Sequence, residues 1–139
     1  MGYSADAQTI RQRFDAEWPV LQPTVPYSFG DVEFNPPDDE PWVRVNTLSG
    51  AQTQVSMGKS RRFRRVGMVV VQIFVPAGSG DGTARELADS VSAIYLGRTV
   101  NGVIFRGTGL TRVGIDGAWT QFNASTPYQA DDLIANPTP

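Results

Sequence analysis

The chain has 139 residues, of which 40% are hydrophobic and 19% charged, and its formal net charge is -2 at pH 7. This length and composition predict one globular domain over residues 1–139 and exclude an intrinsically disordered chain. The sequence contains no cysteine and no histidine, which excludes a disulfide framework, a thiolate nucleophile and any triad that uses histidine as its base. The N-terminus lacks a secretion-signal pattern and no apolar run could span a bilayer, so we expect a soluble, cytosolic protein.

An amphipathic helix is the first predicted element, at about residues 5–18. Ser4 or Asp6 is predicted to cap its start, and Pro19 is predicted to end it, because proline lacks the N–H that another helical turn would use. Apolar side chains spaced by three and four residues predict one buried stripe on this helix. The stripe consists of Ala7, Ile10, Phe14 and Trp18.

A proline-rich arm follows, since residues 19–41 hold six of the ten prolines. So many missing N–H donors exclude a regular helix and a central strand, and they predict an ordered arm or a long loop. The arm ends in the acidic turn Asp38-Asp39-Glu40. These carboxylates could bind a hard cation such as calcium or magnesium. A charge run flanked by prolines is more typical of a solvated turn, and we expect no metal or other cofactor.

Three strands are predicted next, separated first by a Ser-Gly turn and then by a run of basic residues. The second strand is the more polar, which favours a position near a sheet edge. The third is apolar on both faces, which is typical of a central strand that is covered on both sides. The strands cover residues 42–48, 52–57 and 66–75, and the turn is Ser49-Gly50.

A second helix is predicted to begin at Thr83, where Thr83 and Glu86 would form a capping box, and Gly97 would supply its C-cap. Its predicted buried stripe is Leu87, Val91 and Ile94. Three short strands are predicted at residues 100–106, 110–115 and 119–122, and a flexible tail at about residues 130–139. This order predicts an α+β fold: a single mixed or antiparallel sheet packed against two helices, with a long Pro-rich arm and a mobile basic loop.

Two glycine-containing motifs resemble phosphate-binding sequences but lack residues that those sequences need. Gly58-Lys59-Ser60 matches the end of a P-loop, yet Thr53 stands where the first glycine is required and no helix is predicted to follow. The run from Gly78 to Gly82 lies between a strand and a helix, but Thr83 stands where a dinucleotide fingerprint needs its third glycine. Neither motif predicts nucleotide binding.

Five of the twelve basic residues fall within residues 59–65. Their mutual repulsion predicts a segment that stays mobile or extended until something neutralises it. Three interpretations are open: docking on an acidic protein surface, a solvated connection, and single-stranded nucleic-acid binding through basic and aromatic side chains. The remaining seven bases against fourteen acids build no basic face around the stretch, which favours the protein surface. The candidate residues are Lys59, Arg61, Arg62, Phe63, Arg64 and Arg65.

A catalytic carboxylate pair would have to join Asp38 or Asp39 to Asp131 or Asp132, and no pattern in the sequence brings these positions together. The commonest general base and the thiolate nucleophile are also missing, since the chain has no histidine and no cysteine. We therefore expect no enzymatic activity.

Seven short segments, taken in order along the chain, carry a resemblance to a known family. They are Trp42-Val43-Arg44-Val45, Gln54-Val55-Ser56-Met57-Gly58, Arg65-Val66-Gly67, Phe74-Val75-Pro76-Ala77-Gly78-Ser79-Gly80, Glu86-Leu87-Ala88-Asp89, Ile94-Tyr95-Leu96-Gly97-Arg98 and Val103-Ile104-Phe105. Over roughly residues 5–125 the chain resembles phage tail terminator-like, or tail-completion, proteins of long-tailed phages, which are related to minor tail protein U.

The resemblance implies a small, non-enzymatic α/β protein without a cofactor, located at the head-proximal end of the virion tail and in the host cytoplasm during assembly. Such a protein forms a hexameric ring on a finished tail tube, ends its polymerisation and offers a joining surface to the head–tail connector. The implied partners are its own copies, the tail tube protein and the connector protein. DNA would pass through the ring lumen without sequence-specific binding, and no membrane is involved.

By the same resemblance, residues 59–65 would be an assembly loop, and replacing its arginines at 61, 62, 64 and 65 by serine is expected to leave folding intact. The Pro-rich arm is predicted to order on a neighbouring subunit through Tyr27, Phe29 and Phe34, and the strand near residues 52–57 to offer an edge. The alternative is a nucleic-acid-binding module that uses residues 59–65.

Overall fold

A computed structural model of the protein describes residues 2–30 and 32–135. It contains two helices and one mixed sheet of seven strands, which confirms the predicted α+β fold. The helices are α1 (Tyr3–Leu21) and α2 (Gly82–Tyr95). The strands are β1 (Tyr27–Phe29), β2 (Trp42–Gln54), β3 (Ser60–Pro76), β4 (Thr99–Val100), β5 (Val103–Phe105), β6 (Gly109–Asp116) and β7 (Trp119–Ala135).

Two long antiparallel strands, β3 and β7, form the centre of the sheet and pair along their whole lengths, from Ser60 opposite Ala135 to Pro76 opposite Trp119. The strand order is β1-β2-β3-β7-β5-β4, and β6 pairs with another stretch of β7. β1 is parallel to β2, and the other pairs are antiparallel. The predicted central position of residues 66–75 is therefore confirmed, but the prediction that both faces are covered is wrong, because only alternate residues are buried and Val66 is 44% exposed.

Both helices cover one face of this sheet. Ile10, Phe14 and Trp18 of α1 are completely buried, as are alternate residues of β3. The buried β3 residues are Val69, Val71, Ile73 and Val75. The predicted stripe of α2 is confirmed, because Leu87, Val91 and Ile94 are buried in the same cluster. The helices are also joined by a buried hydrogen bond, which the hydroxyl of Tyr95 donates to the carbonyl of Ile10 at 2.8 Å.

The predicted bounds and caps of α1 are wrong. Pro19 lies inside the helix, which continues to Leu21. The last turn is held by side-chain contacts, since the buried Trp18 donates through Nε1 to the carbonyl of Val25 at 3.0 Å and Gln22 donates through Nε2 to Ser90 Oγ of α2 at 2.9 Å. Gly2 is the N-cap, without a side-chain capping bond, and the side chain of Asp6 is used elsewhere.

The predicted turn at Ser49-Gly50 is wrong as well, because β2 is one strand of 13 residues. Its pairing with β3 shifts between Ser49 and Gln52, so the small residues mark an irregularity in the strand. The prediction of a mobile basic loop is also wrong: residues 60–65 form the first part of β3, pair with β7 throughout and pair with β2 at residues 63–65. Backbone hydrogen bonds to the neighbouring strands and carboxylates near the arginines offset the expected repulsion between the basic side chains.

The predicted flexible tail is wrong over residues 130–135, which belong to β7; residues 136–139 lie outside the described part. The strand predicted at 100–106 is instead a tight hairpin of β4 and β5, because Asn101 and Gly102 both adopt positive φ, 49° and 81°. That conformation suits a two-residue hairpin turn, and Asn-Gly is its strongest sequence signal.

The start of α2 also differs from the prediction. The helix begins at Gly82 after the N-cap Asp81, and no side-chain bond caps it, so the capping box is wrong. Asp81 instead pairs with Arg85, at 3.0 Å between carboxylate and guanidinium. At the other end Gly97, with φ 64°, directly follows the C-cap Leu96, as a glycine at this position allows.

Candidate assembly surface

The basic stretch lies at one end of the sheet, next to the start of α1, where the end of β2, the start of β3 and the end of β7 run side by side. We call this region the basic end; it comprises residues 52–65 and 130–134. Opposite residues include Arg64 and Asp131, and Phe63 and Asp132. Because neighbouring residues of a strand point to opposite faces, the arginines divide between the helix-side face and the open face.

Arg65 points to the helix side and is buried, with 2% of its surface exposed. Its guanidinium donates to Asp6 of α1 in a bidentate pair, at 2.7 and 3.0 Å, and also to Asp132 of β7. These bonds join α1, β3 and β7 through one side chain. Hydrogen bonding to Asp6 and then to Asp132 raises the pKa of Arg65 above its usual value, against the effect of burial.

Arg64 points to the open face and forms a bidentate pair with Asp131, at 2.8 and 3.0 Å. The hydrogen bonds from Arg64 lower the pKa of Asp131 below its usual value of 3.8, and the charges of Arg64 and Arg62 act in the same direction. Arg62 is more distant, 3.7 Å from the same carboxylate. Asp131 therefore neutralises part of the open face.

The remaining candidates lie at the tip of the β2–β3 connection. The backbone orders the tip, since Val55 N–H donates to the Arg62 carbonyl at 2.8 Å and Arg62 N–H donates to Ser56 Oγ at 2.7 Å. Over residues 2–30 and 32–135, the ion pairs of the basic stretch belong to Arg62, Arg64 and Arg65, and none to Lys59 or Arg61.

The tip also exposes apolar side chains. Met57 is 90% exposed and Leu133 of β7 is 65% exposed. Phe63 is half-buried and thus less exposed than either of them. Exposed apolar side chains beside uncompensated cations are typical of a protein-contact surface, because apolar area supplies affinity and charge supplies selectivity.

The predicted contact residues of the Pro-rich arm pack on their own chain. Tyr27 contacts Phe14 edge-on at 5.5 Å, and its hydroxyl donates to Asp15, which raises the Tyr27 pKa to about 12. Phe29 lies under the guanidinium of Arg11 at 5.8 Å. The third residue, Phe34, stacks on Trp42 at 5.1 Å. Their role between subunits stays a prediction.

At the sheet end opposite the basic end, Trp42 is the centre of an aromatic cluster on the open face. It stacks on Phe74 at 4.2 Å, meets Trp119 edge-on at 6.3 Å, and lies under the guanidinium of Arg44 at 5.1 Å. The indole N–H of Trp42 is buried without a protein partner. This cluster fixes the place where the arm joins β2.

The acidic turn of the arm precedes this cluster, and Asp38, Asp39 and Glu40 are exposed. The described residues contain no group of carboxylates arranged to hold a metal ion. The hypothetical catalytic pairs are excluded by topology, because β2 separates Asp38 and Asp39 from Asp131 and Asp132, and the latter two pair with arginines.

β6 forms part of an outer edge of the sheet. It pairs with β7 on one side only, and seven of its eight residues are exposed. Its apolar side chains Leu110, Val113 and Ile115 are open to solvent, and Ile115 is 66% exposed. A long edge strand with apolar side chains is a template for pairing with another chain.

The sequence analysis did not predict the three carboxylates that pair with the arginines of the basic stretch. Asp6 was interpreted as a helix cap, and Asp131 and Asp132 as part of a flexible tail. The Asp-Asp doublet near the C-terminus was a signal for pairing with the arginines, but nothing in the sequence states the register of β3 on β7.

The fold defines an α+β protein with two helices on one face of a mixed sheet, and several solved structures are similar to it, including two that align over nearly the whole chain. One superposes with a TM-score of 0.68 at 18% identity, covering 99% of each chain. The other belongs to the virion of a native gene transfer agent particle, with a TM-score of 0.64 at 17% identity, covering 94% of this chain and 100% of that chain.

The family model of phage tail terminator proteins matches residues 7–128, so the chain belongs to the phage tail terminator family. It is a structural and assembly protein of the phage virion tail, as the resemblance predicted. A search of curated protein sequences found no match. No helix in residues 2–30 and 32–135 has the length and apolar character to cross a membrane.

Proposed function

We propose that this protein forms a ring, a homo-hexamer, that caps the tail tube, ends its polymerisation and provides the surface to which the head joins. The observation that carries the proposal is β6, an outer strand of a terminator-family chain that is open along one side and exposes Leu110, Val113 and Ile115. Proteins that work alone usually protect such an edge. An assembly would cover it.

A ring needs two different surfaces on each subunit, because a head-to-tail interface joins one patch to another and closes by rotation. This sheet offers two unlike edges. One edge is β6, which pairs with β7. At the other edge β1 pairs with β2 only at residues 43–45, so among the described residues β2 has no strand partner on its outer side over residues 46–54. The two edges support a closed assembly of identical subunits.

The proposed partners are other copies of the chain, the tail tube protein and the head–tail connector. The ring would sit at the head-proximal end of the tail in the virion, after assembly in the host cytoplasm. DNA would pass through its lumen without sequence-specific contacts. In this function the chain needs no catalytic group and no cofactor.

Native mass and tube length test the proposal together. Light scattering after size exclusion should give a mass that rises to six subunits with concentration, or should give the ring on isolated tail tubes. Tubes assembled with the protein should stop at a defined length. A chain that forms no ring in solution or on tubes, and leaves tube length unchanged, would contradict the proposal.

Charge substitution in β6 tests more directly whether this strand belongs to the ring interface. Val113→Glu with Ile115→Glu should reduce ring formation or capping strongly and leave the melting temperature nearly unchanged, because both side chains are exposed in the free chain. Arg112→Glu is the matched control for a new acid on the same strand, at another exposed position. Equal capping by the double variant and the control would remove β6 from the interface.

The alternative function, a nucleic-acid-binding module, is disfavoured by the geometry of the basic end. Arg64 and Arg65 are held by carboxylates, which leaves Lys59, Arg61 and Arg62 for phosphate contacts. Such binding would weaken steeply with salt because counterions are released. Salt-dependent binding of DNA by the wild type, lost in Lys59→Glu with Arg61→Glu, would restore this alternative.

A further inference from the structure

The two ends of the sheet carry opposite charge. The basic end has five cations, and three carboxylates neutralise it only in part. Its outward cations are Lys59, Arg61 and Arg62, of which Arg62 is 3.7 Å from Asp131 and shares that carboxylate with Arg64. Within the described residues, Lys59 and Arg61 form no ion pair. The surplus positive charge is therefore at the tip, beside the exposed Met57.

The opposite end is acidic. Residues 32–41 of the arm contain Glu33, Asp38, Asp39 and Glu40 and no basic residue, and all four carboxylates are exposed. The stack of Phe34 on Trp42 holds this part of the arm at the start of β2. We call residues 32–41 the acidic arm. It also exposes an apolar side chain, Val32.

The two charged regions of one chain cannot meet. β2 is 13 residues long and separates its far end from Asp38, Asp39 and Glu40, which precede it, by roughly 40 Å at about 3.3 Å per residue. That separation far exceeds the Debye length, about 10 Å at 0.1 M salt, so the attraction acts only between molecules. A second copy of this chain offers the complementary charge at the right place.

We propose that the basic end of one copy docks on the acidic arm of the next copy. The inference rests on the proposed ring, because it adds to the edges of β6 and β2 a second contact between neighbouring subunits. Each subunit uses its two ends once, which makes the contact head-to-tail and allows it to close. Lys59 and Arg61 face the arm carboxylates, while Met57 and Val32 supply apolar area.

The proposal assigns different roles to neighbouring arginines. Arg64 and Arg65 hold the basic end in shape through Asp131, Asp6 and Asp132. Lys59, Arg61 and Arg62 contact the neighbouring subunit. Association should therefore weaken roughly tenfold or more when salt rises from low to about 0.5 M, because exposed ion pairs are screened.

Charge reversal with complementation tests the contact. The basic-end variant is Lys59→Glu with Arg61→Glu, and the acidic-arm variant is Glu33→Lys, Asp38→Lys and Glu40→Lys, which leaves Asp39 as the arm's one acid and makes the arm positive. Asp39 stays unchanged because its φ of 56° suits aspartate better than lysine. The matched control, Arg85→Glu with Arg98→Glu, makes the same change of net charge as the basic-end variant, at exposed positions outside the two ends.

Native mass at low salt is the readout for wild type, each variant and an equal mixture of the two. Each variant alone should lose self-association by roughly 100-fold or more, since attraction becomes like-charge repulsion. The mixture should recover it, because every contact then joins opposite charges in an alternating ring. The control should match wild type. Circular dichroism and melting temperature verify that all chains fold.

Other outcomes overturn the contact. The contact is contradicted if wild type stays monomeric at low salt and high concentration. It is also contradicted if either variant assembles like wild type, or if the mixture does not recover self-association. Loss of DNA binding in the basic-end variant, with self-association intact, would make the basic end a nucleic-acid surface. Tube capping by wild type is measured in parallel. If wild type caps tubes and neither charge reversal changes self-association or capping, this inference alone is contradicted. If wild type forms no ring and caps no tubes, the proposed function is contradicted.

Discussion

Arg64 and Arg65 are neighbours in the chain, but their side chains lie on opposite faces of the sheet because residues alternate along a strand. Arg65 is buried and bonded to two carboxylates, whereas Arg64 shares one carboxylate at the surface. The serine replacement of four arginines, which sequence reasoning expected to leave folding intact, therefore includes one position that the core depends on. The other three are partly or fully exposed.

Replacing Arg65 by alanine is expected to lower the free energy of unfolding by about 3–5 kcal/mol, because it leaves the carboxylates of Asp6 and Asp132 without their buried partner. Arg61→Ala, a few residues away on the same strand, should change it by no more than about 0.5 kcal/mol. Urea unfolding of both variants measures the difference. Similar values for the two would mean that the buried pairs do not stabilise the fold.

Asp131→Asn should show a pH-dependent loss of stability. The pKa of Asp131 in the folded protein lies below its usual 3.8, so the ionised carboxylate stabilises the fold above about pH 4, and this contribution disappears as pH falls through the lowered pKa. The variant should therefore unfold more easily than wild type at pH 7 and approach wild type in strong acid. Melting temperatures across this range are the measurement, and a gap that persists in strong acid would exclude the ion pair as its cause.

At the scale of elements, the arm is not a free segment. It adds β1 to the sheet in parallel with β2, pairing Tyr27 with Val43, and then contacts the aromatic cluster through Phe34. Two anchor points on its own chain hold its middle part. The prolines before β1 and after Phe34 exclude regular secondary structure there, but they do not prevent ordered packing.

Phe34→Ala should release the acidic arm without unfolding the domain. The side chain is only partly buried and the core cluster lies on the other face of the sheet, so the melting temperature should change little, whereas proteolysis within residues 32–41 should become clearly faster. Limited proteolysis followed by mass spectrometry locates the cuts. Tyr3→Ala, an exposed aromatic outside the arm, is the control, and equal cutting rates in the two variants would show that Phe34 does not anchor the arm.

At the scale of the whole molecule, the long β2–β3 and β3–β7 pairs act as a spacer. They place the basic end and the acidic arm at opposite ends of one rigid sheet. A net charge of -2 conceals this separation, because it sums two regions of opposite sign. A subunit with two unlike ends is suited to head-to-tail association.

Engineered cysteines should report that association, since the chain has none of its own. A Lys59→Cys, Glu40→Cys double variant treated with a short thiol-to-thiol cross-linker should give a ladder of covalent oligomers that ends at six. The two sites are too far apart in one chain to be joined within it. Lys59→Cys with Arg98→Cys should give only sparse dimers. Denaturing electrophoresis distinguishes the two patterns, and equal patterns would contradict the proposed contact.

Periodicity in the sequence was sufficient for the parts of the fold whose signals are local. The stripe of α2, the central position of β3 and the buried Ile10, Phe14 and Trp18 of α1 follow local spacing and were predicted correctly. In the first turn of α1 Ala7 is only half-buried, and Asp6 and Thr9 are buried instead. The boundaries failed where a distant contact decides the outcome. Pro19 stays helical because Trp18 and Gln22 are anchored, and Ser49-Gly50 stays in a strand because β3 pairs across it.

The sequence by itself determined the two-helix, mixed-sheet class, the family and the presence of a dense basic stretch, because these depend on local spacing and on ordered short segments. The tertiary structure alone decided what the basic stretch does. Its shape depends on the register of β3 against β7, which brings Asp131 opposite Arg64, and on α1, which brings Asp6 to Arg65. Pairing between residues about 60 positions apart follows from packing of the whole sheet, and no local pattern encodes it.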